Sequence, residues 1–192
     1  RWEHPQRGLV MPDTLIPLAE YTGLITPITE WVLESAVQQC RTWRANGIQS
    51  RLNINLSARN LDDPELPDRL VKLLDRWGVT TDCVMLEITE SAVMTHGTHE
   101  RNVLHRLHAH GIKIAVDDFG TGYSSLSHLR ELPLSQLKID KSFVLDMDQD
   151  ENDAVIVRSM IDLAHNLGLR VVAEGVENQE VSNLLAMLGC DL

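Results

Sequence analysis

Six residues in this sequence close short apolar runs with oxygen- or nitrogen-bearing side chains: Asn55, Glu87, Asp117, Asp118, Lys138 and Glu174. Asp140 follows the lysine by two residues. Carboxylate and amide oxygens are the ligands preferred by hard divalent cations such as Mg²⁺, in contrast to the His and Cys of softer metals. Asn55, Glu87, Asp117 and Asp118 supply that ligand set. Two adjacent aspartates at a buried strand end repel each other and resist ionisation unless a cation sits between them. Two cations a few ångströms apart are the usual machinery of in-line phosphodiester hydrolysis, where they activate a water and stabilise the leaving oxygen. Lys138 could then orient that water or stabilise the developing charge, with its pKa lowered by the neighbouring cations. Glu174 is placed to act as base or as a partner that orients Lys138. A plainer reading stays open for each residue alone: Asp and Asn often just cap the next loop or helix, and Lys138 could form a salt bridge with Glu174 or Asp140.

The elements that must position these groups form a repeating pattern from residue 51 onward. Apolar runs at Leu52 to Leu56, Val84 to Ile88, Ile112 to Val116, Leu137 to Ile139 and Val171 to Ala173 are nearly continuous. That suits strands buried on both faces of a parallel sheet. Amphipathic helices are expected between them at about 98–110, 152–167 and 179–188, and before the first strand from Thr26-Pro27 to Asn46-Gly47. For the helix at 152–167, Asn152 reads as N-cap and Val155, Ile156, Met160, Leu163 and Leu167 as the inward face. For 179–188, Asn178 reads as N-cap, with Val181, Leu184, Leu185 and Leu188 inward.

Strand–helix units of about 30 residues match the repeat of a (β/α)₈ barrel, while a doubly wound open sheet is the competing arrangement. In a barrel all the listed strand ends converge on one C-terminal face; an open sheet spreads them along a line. Convergence favours an α/β fold of the TIM-barrel type, incomplete at about five to six βα units.

Composition narrows the function classes. The chain has 192 residues, a formal charge of -11, 43% hydrophobic and 23% charged residues. That is globular composition. An excess of acid argues against coating a nucleic-acid polymer, though metal ions can bring a small phosphorylated ligand to an acidic site. No run approaches the about 20 apolar residues of a membrane span, and no signal peptide opens the chain. Cys40, Cys83 and Cys190 make neither a disulfide framework nor a CxxC site and read as buried thiols of a reducing cytoplasm. Asp146 to Asp153 lacks the central Gly and the twelfth-position Glu of a calcium-binding EF-hand loop and reads as a solvated helix lead-in. His105, His108 and His110 read as solvated or rim residues, and Trp2, Trp31, Trp43 and Trp77 as packing residues.

Ordered motifs then add a family resemblance. Asn53-Ile54-Asn55-Leu56-Ser57, Glu87-Ile88-Thr89-Glu90, Asp117-Asp118-Phe119-Gly120-Thr121-Gly122-Tyr123-Ser124-Ser125-Leu126, Lys138-Ile139-Asp140 and Ala173-Glu174-Gly175-Val176-Glu177 resemble the EAL-domain phosphodiesterases. Ile16-Pro17-Leu18-Ala19-Glu20 with Gly23-Leu24-Ile25 extends the resemblance to essentially the whole chain. The family hydrolyses cyclic di-GMP to linear pGpG.

The resemblance implies a modified (β/α)₈ barrel with one antiparallel strand and two Mg²⁺ or Mn²⁺ ions. It implies metal ligation by Asn55, Glu87, Asp117 and Asp118, with Asp117 shared, and water activation by Lys138 and Glu174. Asp140 becomes a supporting carboxylate, and Glu90 the anchor of the loop that begins at Asp117. Arg1 matches an arginine that contacts substrate phosphate. The loop from Phe119 to Leu126 is implied to order with substrate and to contribute to a homodimer. By the same resemblance, residues 1–192 form one EAL-type domain cut just after its signature tripeptide and before a late glutamine motif. The piece alone is then expected to be weakly active or inactive. A cytoplasmic setting is implied, in a parent that carries sensory or cyclase domains or a membrane anchor, with no membrane contact by the domain itself. Two other readings stay open: a non-catalytic cyclic di-GMP receptor, and, on the residues alone, an enolase-type lyase using Mg²⁺ and a lysine base.

Overall fold

The computed structural model describes residues 2–95, 97–122 and 126–192, without the side chains of residues 93–95, 126 and 151. After a small antiparallel hairpin, β1 (Trp2–His4) and β2 (Gly8–Val10), come two helices, α1 (Pro12–Thr22) and α2 (Ile25–Ala45). Strand and helix then alternate: β3 (Leu52–Asn55), α3 (Leu66–Trp77), β4 (Val84–Thr89), α4 (Glu90–Thr95) and α5 (Thr98–Ala109). They continue as β5 (Lys113–Phe119), α6 (Leu126–Glu131), β6 (Gln136–Ile139), α7 (Glu151–Asn166), β7 (Arg170–Ala173) and α8 (Gln179–Met187).

The five strands β3 to β7 pair in parallel and in chain order. A doubly wound sheet reverses its strand order at a switch point; this one does not, so it is an arc of a barrel wall. The far edge of the arc extends past β7. Leu192 N–H donates to the Val171 carbonyl at 3.2 Å and the Leu192 carbonyl accepts from Ala173 N–H at 3.1 Å, which is a parallel pairing. Among the described residues every strand of this arc is parallel, and the antiparallel pair β1–β2 forms a separate sheet.

The strands fall within a residue or two of their apolar runs, except that β5 continues through Asp117 and Asp118 to Phe119. The helix boundaries shift in instructive ways. The helix expected from Thr26-Pro27 starts at Ile25 behind Leu24, which offers no side-chain cap. The cap of α7 is Asp150, which accepts from Asn152 N–H at 2.8 Å, so Asn152 is a donor inside the first turn. Asn178 does cap α8, accepting from Val181 N–H at 2.7 Å.

The inward face of α7 matches expectation in part: Met160, Leu163 and Leu167 pack against the core, half-buried. Val157, Ile161 and Ala164 are buried, whereas Val155 is 63% exposed and Ile156 38%. An i, i+4, i+7 stripe of smaller residues fits closely over the sheet, and an apolar side chain beside that stripe does not have to turn inward. Helices α1 and α3 were not anticipated, because Pro12, Pro17 and Pro67 break up their helical pattern. Pro12 and Pro67 sit in first turns, where the missing N–H costs nothing.

The core lies between the sheet and its covering helices. Ile54, Leu86, Ile88, Ile114, Val116, Leu137, Ile139 and Val171 point into it and are essentially inaccessible. Because strand side chains alternate, the residues between them face the barrel interior. No helix among the described residues is long and apolar enough to cross a membrane.

Candidate active site

The interior face carries the polar residues: Asn53 and Asn55 from β3, Glu87 from β4, Asp117 from β5, Gln136 and Lys138 from β6. Glu174 follows β7, and its N–H donates to the Ile139 carbonyl at 3.1 Å. Lys138 is the hub. Its Nζ lies 3.0 Å from Glu87 Oε1, 2.8 Å from Asp117 Oδ1 and 2.5 Å from Glu174 Oε1. Burial pulls the lysine pKa down, but the hydrogen bonds to Asp117, Glu174 and Glu87 outweigh it and hold the ammonium well above the ordinary lysine value. The lowered value expected from the sequence presupposes neighbouring cations; with carboxylates alone the sign reverses. Glu174 is the salt-bridge partner foreseen for Lys138, whereas Asp140 makes no ion pair with it among the described residues.

A β-bulge brings both aspartates to the site. Val116 pairs with Leu137 and Phe119 with Ile139, so Asp117 and Asp118 together oppose the single residue Lys138. In a regular strand, neighbours point to opposite faces. Here Asp118 takes φ +54°, the left-handed region that non-glycine residues seldom occupy. The result is that ligand oxygens of Asp117, Asp118 and Glu174 lie within 4.8 Å of one another. Non-glycine strain of this kind, worth about 1–3 kcal/mol, persists where surrounding structure imposes it, often at functional sites.

The electrostatics fit a cation. Burial, then repulsion from Asp117, Asp140 and Glu174, pushes the Asp118 carboxyl up, against the pull of Lys138. Asp117 Oδ1 is buried and, apart from the approach of Lys138, has no hydrogen-bonding partner among the described residues. One ammonium faces the carboxylates of Glu87, Asp117, Asp118 and Glu174. A hard divalent cation would relieve that imbalance with the oxygen ligands it prefers. The donor set therefore fits Mg²⁺ or a similar ion. Glu174, assigned from the sequence to water activation, groups with the aspartate pair in space. Asn55 sits beside Glu87 in register at the exposed end of β3, and among the described residues no hydrogen bond links its side chain to the acid cluster.

Supporting groups surround the cluster. Glu90, 1% exposed, accepts at Oε2 from the backbone N–H of Gly120 at 2.9 Å and Gly122 at 3.1 Å, clamping the chain that leaves Asp118. Gly120 has φ +104°, and a Cβ there would overlap Met160 Cε and lie 2.7 Å from Phe143 Cε2. Asp140 caps the turn Lys141–Phe143, accepting from Ser142 N–H at 3.0 Å and its hydroxyl at 2.5 Å. Burial raises its carboxyl, but these hydrogen bonds hold it below the usual range. Arg1 and residues Tyr123 to Ser125 of the expected loop lie outside the described residues. His105, His108 and His110 are exposed and belong to no metal-ligating group found among the described residues.

Sequence reasoning did not single out Asn53, whose Nδ2 donates to Glu87 Oε1 at 2.8 Å. Period-two alternation puts Asn53 on the same face as Asn55, which was the available signal. Nor were Cys40 and Cys83 expected to meet. Both are buried, and the Cys40 thiol approaches the Cys83 carbonyl at 3.6 Å.

The fold and site together define an α/β barrel wall with an acidic mouth at the C-terminal ends of its strands. The sequence profile of the EAL domain matches residues 1–192, and the chain belongs to that family. It is 43% identical over 192 residues to a Pseudomonas aeruginosa protein named bifunctional diguanylate cyclase/cyclic di-GMP phosphodiesterase MucR, covering 100% of this chain and 28% of that protein. Another protein of that organism, named as a cyclic di-GMP phosphodiesterase, is 40% identical over 190 residues, covering 99% and 32%. The chain thus spans about a third or less of the length of these curated relatives. Among solved structures, the PaMucR phosphodiesterase in complex with c-di-GMP superposes with a TM-score of 0.92 at 43% identity, covering 99% of this chain and 77% of that one. The EAL domain of Mycobacterium smegmatis DcpA gives 0.80 at 40% identity, covering 85% and 74%.

Proposed function

We propose that this chain is the catalytic part of a metal-dependent cyclic di-GMP phosphodiesterase that opens the cyclic dinucleotide to linear pGpG. The observation that carries the reading is the cluster of Glu87, Asp117, Asp118 and Glu174 around Lys138 at the mouth of the sheet. The names of relatives about 40% identical over the whole chain, and the c-di-GMP complex of one of them, supply the substrate class.

Asn55, Glu87, Asp117 and Asp118 would hold two Mg²⁺ or Mn²⁺ ions. When bound, such ions supply Lewis acidity and an ionised water at neutral pH. The protein groups supply placement and proton handling. Lys138, held by three carboxylates, orients the attacking water and faces the charge growing on the phosphate oxygens. Glu174, bonded to Lys138, takes the water's proton. The water oxygen bonds to phosphorus as one ribose 3′ P–O bond breaks, and the proton that Glu174 accepted passes to the departing 3′ oxygen, which returns Glu174 to its ionised form. Arg1 would contact a substrate phosphate, and Glu90 would keep the loop after Asp118 in place.

The parent protein is proposed to be cytoplasmic or to face the cytoplasm, and to carry further domains, as the greater length of the relatives suggests. A homodimer is proposed through the 119–126 loop. The packing of Gly120 against Met160 and the exposed Val155 and Ile156 on the same helix, α7, support a contact there.

The test is turnover of cyclic di-GMP by the full-length protein with Mg²⁺, with Mn²⁺ and with chelator. The expected result is pGpG with either cation and none with chelator. Turnover in chelator overturns the metal mechanism. Binding without turnover makes the domain a receptor instead.

A further inference from the structure

We propose that Asn53 is a positioning residue that holds Glu87 in the orientation the cation site requires. The inference rests on the metal-dependent reading above and adds to it a residue outside the ligand set. Asn53 and Asn55 share the interior face of β3; in the β3–β4 register Asn53 lies opposite Met85 and Asn55 opposite Glu87. The Asn53 side chain therefore reaches diagonally, two residues along the partner strand, to donate its amide to Glu87 Oε1 at 2.8 Å. Lys138 Nζ approaches the same oxygen at 3.0 Å. Both partners of the carboxylate thus converge on Oε1, while Oε2 has neither a hydrogen bond nor an ion pair among the described residues.

The division of labour follows from chemistry. Lys138 is shared with Asp117 and Glu174, so its pull on Glu87 changes with whatever those two acids do. The Asn53 amide is uncharged, donates to no other group among the described residues, and sits on a different strand. It can hold the Glu87 rotamer whether or not Lys138 is engaged. A neutral donor also lowers the cost of a buried carboxylate without competing with a cation for charge. Partners that orient metal-ligating carboxylates in this way typically change metal affinity or activity by about 10–100-fold when removed.

The experiment measures Mn²⁺ binding to the full-length protein without substrate, by calorimetry and by the loss of free-ion paramagnetic resonance signal. Asn53→Leu keeps the volume and removes the donor. It is expected to weaken Mn²⁺ binding at least about tenfold, with only a small fall in the metal-free melting temperature, because Lys138 still pairs with the same Glu87 oxygen. Raising Mn²⁺ should restore kcat, since the defect lies in holding the ion.

A double-mutant cycle separates positioning from packing. In a Glu87→Ala background, which removes the acceptor, Asn53→Leu should have no further effect on Mn²⁺ binding. An equal loss in both backgrounds, or unchanged Mn²⁺ affinity in the single variant, overturns the proposal. A fall in melting temperature that accounts for the whole loss of binding also overturns it, by making Asn53 structural. If Glu87→Ala itself leaves Mn²⁺ binding intact, the cation-site reading fails, and that result is distinct from a failure of Asn53 alone.

Discussion

The two faces of the same five strands differ by a one-residue offset and have opposite characters. Toward the helices stand Ile54, Leu86, Ile88, Val116, Leu137 and Ile139, all buried and all hydrocarbon. Toward the barrel interior stand Asn53, Asn55, Glu87, Asp117, Gln136 and Lys138. The helix side gains stability from burial at about 25 cal/mol per Å² of apolar surface. The interior side spends some of that stability on crowded like charges and on Asp118 at positive φ. The comparison teaches that here fold and chemistry are largely separable by face, because alternation sends each strand residue outside the Asp117–Asp118 bulge to one side of the sheet or the other.

The sharpest way to break that separation is at the interior face. Asp117→Asn is expected to abolish phosphodiester turnover, a loss of about 10³-fold or more, with circular dichroism and melting temperature close to the parent. Normal turnover would remove Asp117 from the site. Lys138→Ala should be equally inactive. Without cations it should also melt lower, since the carboxylates around the vacated position repel one another unopposed. Added Mg²⁺ should recover most of that loss, as scanning calorimetry would show. A melting temperature indifferent to Mg²⁺ would count against a cation among these acids.

The helix side should behave in the reverse way. Leu137→Ala, one residue from Lys138 and fully buried, is expected to cost about 3 kcal/mol in chemical denaturation. Metal affinity of the folded fraction should stay unchanged; a selective loss of Mn²⁺ binding would show that the two faces are coupled. Gly120→Ala tests the hinge between them. A Cβ at φ +104° against Met160 and Phe143 should cost about 1–3 kcal/mol and shift the loop clamped by Glu90. An unaltered melting temperature would mean the loop can move away freely.

The smallest effect lies at the far edge of the sheet. Asp191 Oδ2 accepts from Val171 N–H at 2.7 Å and meets His165 Nε2 at 3.1 Å. These two contacts, the backbone one first, hold its carboxyl below the usual range against a smaller upward push from burial. Because the folded pKa is depressed, the stabilisation is complete above the unfolded value of about 3.9 and disappears as pH falls through the folded value. Asp191→Asn should therefore flatten the acid limb of the stability curve slightly, by about 1 kcal/mol or less. An acid limb identical to the parent would remove this contact from the account.

Much of this was legible in one dimension. Strand positions follow from β-branched runs that end in a polar residue, and local chemistry placed Asn178 as the cap of α8. The choice of Glu87, Asp117, Asp118, Lys138 and Glu174 also needed only residue type and spacing. Where local signals competed, the reading slipped. Asp150 and Asn152 are both good caps two residues apart, and α7 carries more apolar residues than its buried stripe can use.

The linear sequence by itself determined the fold class and which side chains could bear chemistry, because those depend on periodicity, residue type and spacing, and its ordered motifs carried the resemblance to the family. Only the tertiary structure decided how they meet. The bulge that turns two neighbouring aspartates to one lysine exists because β5 and β6 pair out of step. Likewise, the Asn53–Glu87 bond exists because two strands lie side by side in a particular register. Register and bulges are properties of pairs of strands, set by packing between segments distant in sequence, and no single segment encodes them.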